Sequence, residues 1–314
     1  MGEAVMVCEV GPRDGLQIAH SVMATAAKIR WIEAIAAAGV REIEVGSFVP
    51  PRLIPQMADT GEIVASARTL PGVTVIALAP NLRGAQRALE AGAHRVTIPV
   101  SVSEGHSRAN LNRGPAEQVA EVGRVVAWVR EQGSPVEIEA ACSTAFGCSI
   151  DGVVPEADVL RVAAGLAQAG VHAVSLADTV GYANPAQVRS LVRAVRGEIG
   201  AKLTRLHLHD TMGLGLANAL AGLEEGVRCF DAALAGLGGC PFAPGASGNI
   251  VTEDLVFMLE SMGFATGIDL GKLVAAREAL REGLPDEPVR GAVATAGLPK
   301  TWTSKEHAEG LAAA

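Results

Sequence analysis

The chain has 314 residues, 49% of them hydrophobic and 19% charged, with 36 glycines and a formal net charge of -8. That length fits one large α/β barrel or two ordinary domains, and scattered Lys and Arg in an acidic chain argue against a nucleic-acid or anionic-membrane partner. No apolar run reaches the roughly 18 residues of a membrane span, and the opening "MGEAVMVCEVGPRDG" has acidic residues and no apolar signal core, so a cytoplasmic protein is expected. Its five cysteines (Cys8, Cys142, Cys148, Cys229 and Cys240) are odd in number and widely spread, which predicts free thiols.

In chain order, "AVMVCEV" from Ala4 reads as a strand and "TAAKIRWIEAIAAAG" as an amphipathic helix ending at Gly39. Further apolar strands begin near residues 42, 74 and 95, the last after a helix ending at Gly92. The helix "PAEQVAEVGRVVAWVREQG" leads to "PVEIEAAC" near 136. A helix ending at Gly170 precedes the strand near 173, "LTRLHLH" follows near 203, and a helix ending at Gly226 leads to the strand near 229. Glycine suits the four closing positions because the residue after a helix often takes a left-handed conformation. Alternating strands and helices imply a parallel sheet, and eight such units predict a (β/α)8 TIM barrel. No G-x-G-x-x-G follows the first strand, which disfavours an open doubly wound sheet and a nucleotide cofactor. Past Gly267 there are helical stretches such as "GKLVAAREALREGL" but no strand. Residues 1–266 are therefore expected to form the catalytic barrel and 267–314 a short C-terminal helical appendage packed on it.

In such a barrel the chemistry sits where the strands end. Strand 1 ends in "GPRDGLQ", offering Arg13, Asp14 and Gln17, and strand 2 in "EIEVGSF", offering Glu44 and Ser47. Asp178 and Asp210, after strands 6 and 7, are equally suited to capping the helices that follow. On strand 7, His207 and His209 are two residues apart and share a face, so both imidazoles are expected inside the barrel with Leu206 and Leu208 against the helices. Two imidazoles at a strand end make a two-nitrogen metal site. A hard divalent ion would complete it with oxygen ligands. Asp14, expected on strand 1, lies beside strand 8 once the barrel closes. Mg²⁺ or Mn²⁺ is favoured over zinc, whose structural sites draw on more cysteine.

The segment "GLGGCPFAPGASGN" flanks Cys240 with glycines, as a loop closing over substrate would, and predicts an exposed thiol. Asn249 could return a side-chain oxygen to the metal, and Glu253 lies one helical turn further on.

"GPRDGLQ", "IEVGSFVPPRLIPQMAD", "HLHDTMGLGLANAL" and "GLGGCPFAPGASGNIVTEDLVFML" resemble the hydroxymethylglutaryl-CoA lyase family over residues 4 to 300. The resemblance implies a divalent metal held by Asp14, His207, His209 and Asn249. It also implies catalytic roles for Arg13, Glu44 and Cys240 and an acyl-CoA thioester substrate, cleaved by a retro-Claisen step. His207 and Asp14 enter catalysis through the metal. Glu44 could orient Arg13, shuttle protons or form a simple ion pair. A homodimer or higher homo-oligomer is expected. One departure bears on the substrate: "STAFGCSIDG" after strand 5 has Thr144 where the better-known lyases of the family carry cysteine. A citramalyl-CoA lyase uses the same residues and is the alternative. A condensing synthase would read H-x-H-N-D at strand 7 and carry a long domain after the barrel.

Overall fold

The computed structural model describes residues 2–238 and 248–302. Eight parallel strands close a barrel in the order in which they occur: β1 Met6–Glu9, β2 Glu42–Ser47, β3 Thr74–Leu78, β4 Arg95–Ser101, β5 Glu137–Ser143, β6 Ala173–Asp178, β7 Leu203–Leu208 and β8 Cys229–Ala232. The seam is the β8–β1 pair, in which Met6 faces Cys229 and Glu9 faces Ala232. The barrel expected from the sequence is therefore the one observed, with a strand at each of the eight places. The helices are α1 Thr25–Ala37, α2 Thr60–Ala67, α3 Leu82–Ala91, α4 Glu104–Leu111, α5 Pro115–Glu131, α6 Glu156–Ala169, α7 Pro185–Ile199, α8 Gly215–Glu224, α9 Thr252–Ser261, α10 Leu270–Gly283 and α11 Ala292–Ala296. The four helix-closing glycines all have positive φ.

Alternation along the strands divides the residues between two environments. Val7, Ile43, Val75, Ile98, Ile138, Leu176, Leu206 and Phe230 are buried in the large apolar core with helix residues such as Trp31 and Leu166. Burying a side chain of this kind stabilises by about 1.5–3 kcal/mol. Inside the barrel the one apolar cluster among the described residues is Cys8, Val10 and Ile76; most of the rest is polar. Leu206 and Leu208 are fully buried on the helix side, whereas His207 and His209 line the central cavity, as alternation requires.

The C-terminal helices are bonded to the barrel's own helices. Asp269 N donates to Ala38 O at 2.7 Å, α10 packs along α1, and the N-terminal amides of α11 donate to the Asp254 carboxylate at 2.8 Å. Among the described residues no helix is long and apolar enough to cross a membrane.

Candidate metal centre and active site

A cavity of about 950 Å³ opens at the C-terminal ends of the strands, lined by Arg13, Asp14, Gln17, Glu44, Ser47, His207 and His209 among others. Asp14 is not on strand 1, as the sequence reading had it. The strand stops at Glu9, and Arg13 and Asp14 sit in the single helical turn Gly11–Gly15 that follows. That turn carries both side chains over the barrel mouth.

The Nε2 atoms of His207 and His209 lie 3.1 Å apart, and Asp14 Oδ2 is 3.5 Å from His209 Nε2 and 3.8 Å from His207 Nε2. These three side chains can offer one ligand atom each to a common ion. Asn249 reaches them through an isolated bridge between its backbone and that of His209. Its Nδ2 donates to Asp14 Oδ2 at 2.8 Å, while its Oδ1 is buried without a partner among the described residues. The bridge needs a glycine beside it. Gly248 has φ of +86°, and a Cβ there would stand 2.0 Å from Gly238 O, where no side chain fits.

Arg13 ties this cluster to β2, its Nε donating to Glu44 Oε2 at 2.5 Å and its Nη1 to Asp14 Oδ1. The β2 register shifts between Glu44 and Gly46. This bulge lets Glu44 and Ser47 both line the cavity, although strict alternation would put them on opposite faces. Ser47 Oγ and Glu44 Oε1 are buried and without partners among the described residues. Burial raises the Glu44 carboxyl above its usual range despite the neighbouring Arg13 charge. Burial would raise Asp14 too, but Arg13 and the two imidazoles outweigh it and hold that carboxyl well below the usual range. His207 moves up, because its bond to Asp231 and the Asp14 charge overcome burial; His209 moves down, burial and the His207 charge prevailing over Asp14.

The donor set fits a divalent cation. Two imidazole nitrogens in contact must share a proton or face a cation, and Asn249 Oδ1 and the Asp14 carboxylate supply hard oxygen donors beside them. Charge agrees: among the described residues, buried Asp14, Glu42, Glu44, Glu139 and Asp231 pair with the guanidiniums of Arg13, Arg95 and Arg205, five carboxylates to three guanidiniums. A cation restores the balance.

Other residues singled out in the sequence fall elsewhere. Asp210 Oδ1 accepts from Gly215 N at 2.7 Å, at the start of α8. Asp178 accepts from Tyr182 N and Ala183 N in the loop before α7, and burial pushes its carboxyl up to about 6 against those bonds. Glu253 is fully buried, paired with Arg277 and bonded to Ala235 N, and does not line the cavity. Thr144 has φ of +58° and is fully buried, its hydroxyl accepting from Ser103 N and donating to Ser143 O. Its side chain is turned into the loops, and neighbouring Ser143 lines the cavity instead. Cys240 lies outside the described residues.

Lining residues that were not anticipated include Arg205, Asp231, Glu139 and the buried Cys8. The signal was present. The alternation that turns His207 and His209 inward also turns Arg205 inward, and the pairs Glu42/Glu44 and Glu137/Glu139 have the same spacing.

Residues 4–280 match the HMGL-like family. The chain is 42% identical to the mitochondrial hydroxymethylglutaryl-CoA lyase of Gallus gallus, covering 87% of this chain and 91% of that one. It is 41% identical to the (R)-citramalyl-CoA lyase of Chloroflexus aurantiacus, covering 94% and 95%. An HMG-CoA lyase from Acinetobacter baumannii, solved in complex with coenzyme A and 3-methylmalate, superposes with a TM-score of 0.89 at 40% identity, covering 96% of this chain and 97% of that one.

Proposed function

The chain belongs to the HMGL-like family of carbon–carbon lyases, and from that premise we propose that it cleaves 3-hydroxy-3-methylglutaryl-CoA to acetoacetate and acetyl-CoA. The observation that carries this reading is the convergence of Asp14, His207 and His209 on one point beside Arg13 and Glu44, inside a cavity large enough for a thioester substrate.

Asp14, His207, His209 and Asn249 would hold the ion, Mg²⁺ or Mn²⁺. When bound, it would lower the pKa of the substrate's 3-hydroxyl. Glu44 Oε1, buried and unpartnered among the described residues, is assigned the departing hydroxyl proton. The oxygen's electrons form the new carbonyl, the C2–C3 bond breaks, and its pair passes into the thioester as an enolate. Arg13 uses Nε on Glu44 and Nη1 on Asp14, leaving its Nη2 edge for the enolate oxygen as a charge-assisted donor. Cys240, whose role rests on its sequence context, delivers a proton to C2. One proton leaves the hydroxyl and one arrives at C2, so the reaction needs no redox partner.

The second reading is (R)-citramalyl-CoA cleavage to pyruvate and acetyl-CoA, favoured by identity to the Chloroflexus enzyme over 94% of the chain. The two substrates differ in the distance between C3 and the free carboxylate, and a displacement of about 1 Å at a reacting group can cost on the order of 10²-fold in rate. Comparing kcat/KM for the two thioesters decides between them. A preference of tenfold or more for citramalyl-CoA, with pyruvate released, reverses the assignment.

We place the enzyme in the cytoplasm, where the free thiols of Cys8, Cys142, Cys148 and Cys229 stay reduced. The assembly we expect is a homodimer or higher homo-oligomer, and sizing in solution tests it.

A further inference from the structure

His207 and His209 are not held alike. His209 Nδ1 is buried without a partner among the described residues. His207 Nδ1 lies 3.0 Å from Asp231 Oδ2, on the neighbouring strand at the same register position. The other Asp231 oxygen, Oδ1, accepts from Arg205 Nη1 at 2.7 Å. Arg205 cannot turn away, because its Nη2 donates to Glu42 Oε2 at 2.5 Å and its Nε lies 3.1 Å from Glu139 Oε1. Glu42 is paired in turn with Arg95 at 3.1 Å. A ladder of charges thus runs up the barrel interior from its floor and ends on one ring nitrogen.

We propose that Asp231, fixed by Arg205, is a positioning residue that locks the His207 ring with its Nε2 lone pair toward Asp14 and His209, and so sets how tightly this rim holds a divalent cation. The inference rests on reading Asp14, His207 and His209 as metal ligands.

The physical reason lies in what a carboxylate can do. An ionised carboxylate only accepts hydrogen bonds, so Asp231 satisfies the Arg205 donor and the His207 Nδ1–H together. That places the ring proton on Nδ1 and leaves Nε2 as the electron pair. A second carboxylate behind a ligating imidazole fixes its tautomer and raises its basicity in this way. An asparagine at 231 cannot do both. With its oxygen kept by Arg205, its amide donors face Nδ1. The ring proton then moves to Nε2, where it blocks the ion.

The test is calorimetric titration of Mn²⁺ into chelator-treated full-length protein, for wild type, Asp14→Ala and Asp231→Asn. Wild type should bind one ion, Asp14→Ala should lose it, and Asp231→Asn should bind it about 10- to 100-fold more weakly. Unchanged affinity in Asp231→Asn, with Asp14→Ala still unable to bind, overturns the positioning role and leaves the metal assignment intact. Wild-type binding that survives Asp14→Ala overturns the metal assignment, and this inference with it. Should Asp231→Asn not fold, the wild-type tautomer decides: long-range ¹H–¹⁵N spectra of the chelated protein at alkaline pH, with the His207 signal identified by its loss in His207→Gln. A proton on Nδ1 is expected, and one on Nε2 overturns the proposal.

Discussion

His207 and His209 turn their Nε2 atoms toward each other across 3.1 Å, with Asp14 Oδ2 within 3.8 Å of both. Two neutral imidazoles gain nothing from that approach unless a proton or a cation lies between them, and the excess of carboxylates around them favours the cation.

Asp14→Ala and His207→Ala should therefore each lower thioester cleavage by several orders of magnitude, since each removes a ligand from the ion that acidifies the hydroxyl. Wild type stripped by chelator should lose activity and regain it with Mg²⁺ or Mn²⁺. Full activity in metal-free protein would sink the assignment.

Arg13→Lys keeps the charge and loses the planar fork that reaches Glu44 and Asp14 together. A lysine ammonium cannot hold both carboxylates and still present an edge to the enolate. Removing one preorganised donor of this kind typically costs about 3–4 kcal/mol, a fall of at least a hundredfold in kcat. Steady-state kinetics reads it, and a lysine variant within a few-fold of wild type would reduce Arg13 to a substrate-binding charge.

Much of this was legible in the sequence because the barrel repeats one unit, and because alternation on β7 fixes the direction of His207 and His209 without reference to any other strand. What was not legible depends on contacts between distant segments. Asp14 leaves the strand because β1 ends at Glu9. The Gly11-Pro12 pair is a local breaker, but the turn that carries Asp14 over the mouth is seated against Trp31 and Leu237 from elsewhere in the chain. The β2 bulge falls at Gly46, where a Cβ would stand 2.7 Å from Thr60 Oγ1; a glycine inside a strand marks a bulge or a close approach without saying which neighbour it turns inward. The Arg205 ladder pairs residues as far apart as Glu42 and Arg205, and only the closed ring brings them together.

Gly248→Ala should damage the site from outside it. The new methyl would meet Gly238 O at 2.0 Å in a backbone conformation of φ +86°, so the chain must shift and take Asn249 with it. Weaker Mn²⁺ binding and a lower melting temperature are expected together. Wild-type values for both would show that the Asn249 bridge tolerates displacement.

Glu9 offers a pH test remote from the metal ligands. It is fully buried, accepting from Gly11 N at 2.9 Å, Leu234 N at 2.8 Å and Thr252 Oγ1 at 2.7 Å, and burial pushes its carboxyl from 4.5 up to about 8 in spite of those bonds. Between these values the native state holds a proton that the unfolded chain has released. The stability this group contributes is complete below the lower value and is lost as pH rises through the upper one. Urea unfolding of wild type and Glu9→Gln across that range should show wild type losing stability relative to the variant, with a slope approaching about 1.4 kcal/mol per pH unit. A constant difference between the two proteins would mean that Glu9 is ionised throughout.

The proposed ligands also have a topological meaning. Asp14 follows the first strand, His207 and His209 come from the seventh and its end, and Asn249 follows the eighth, so the Asp14–Asn249 contact spans 235 residues of chain. An ion held there would act as a clasp across the seam where the ring's beginning meets its end. Its binding free energy would become closure free energy, about 2.7 kcal/mol at a hundredfold excess over Kd. Metal loss should then loosen the β8–β1 joint before the rest of the ring, and hydrogen exchange should begin there.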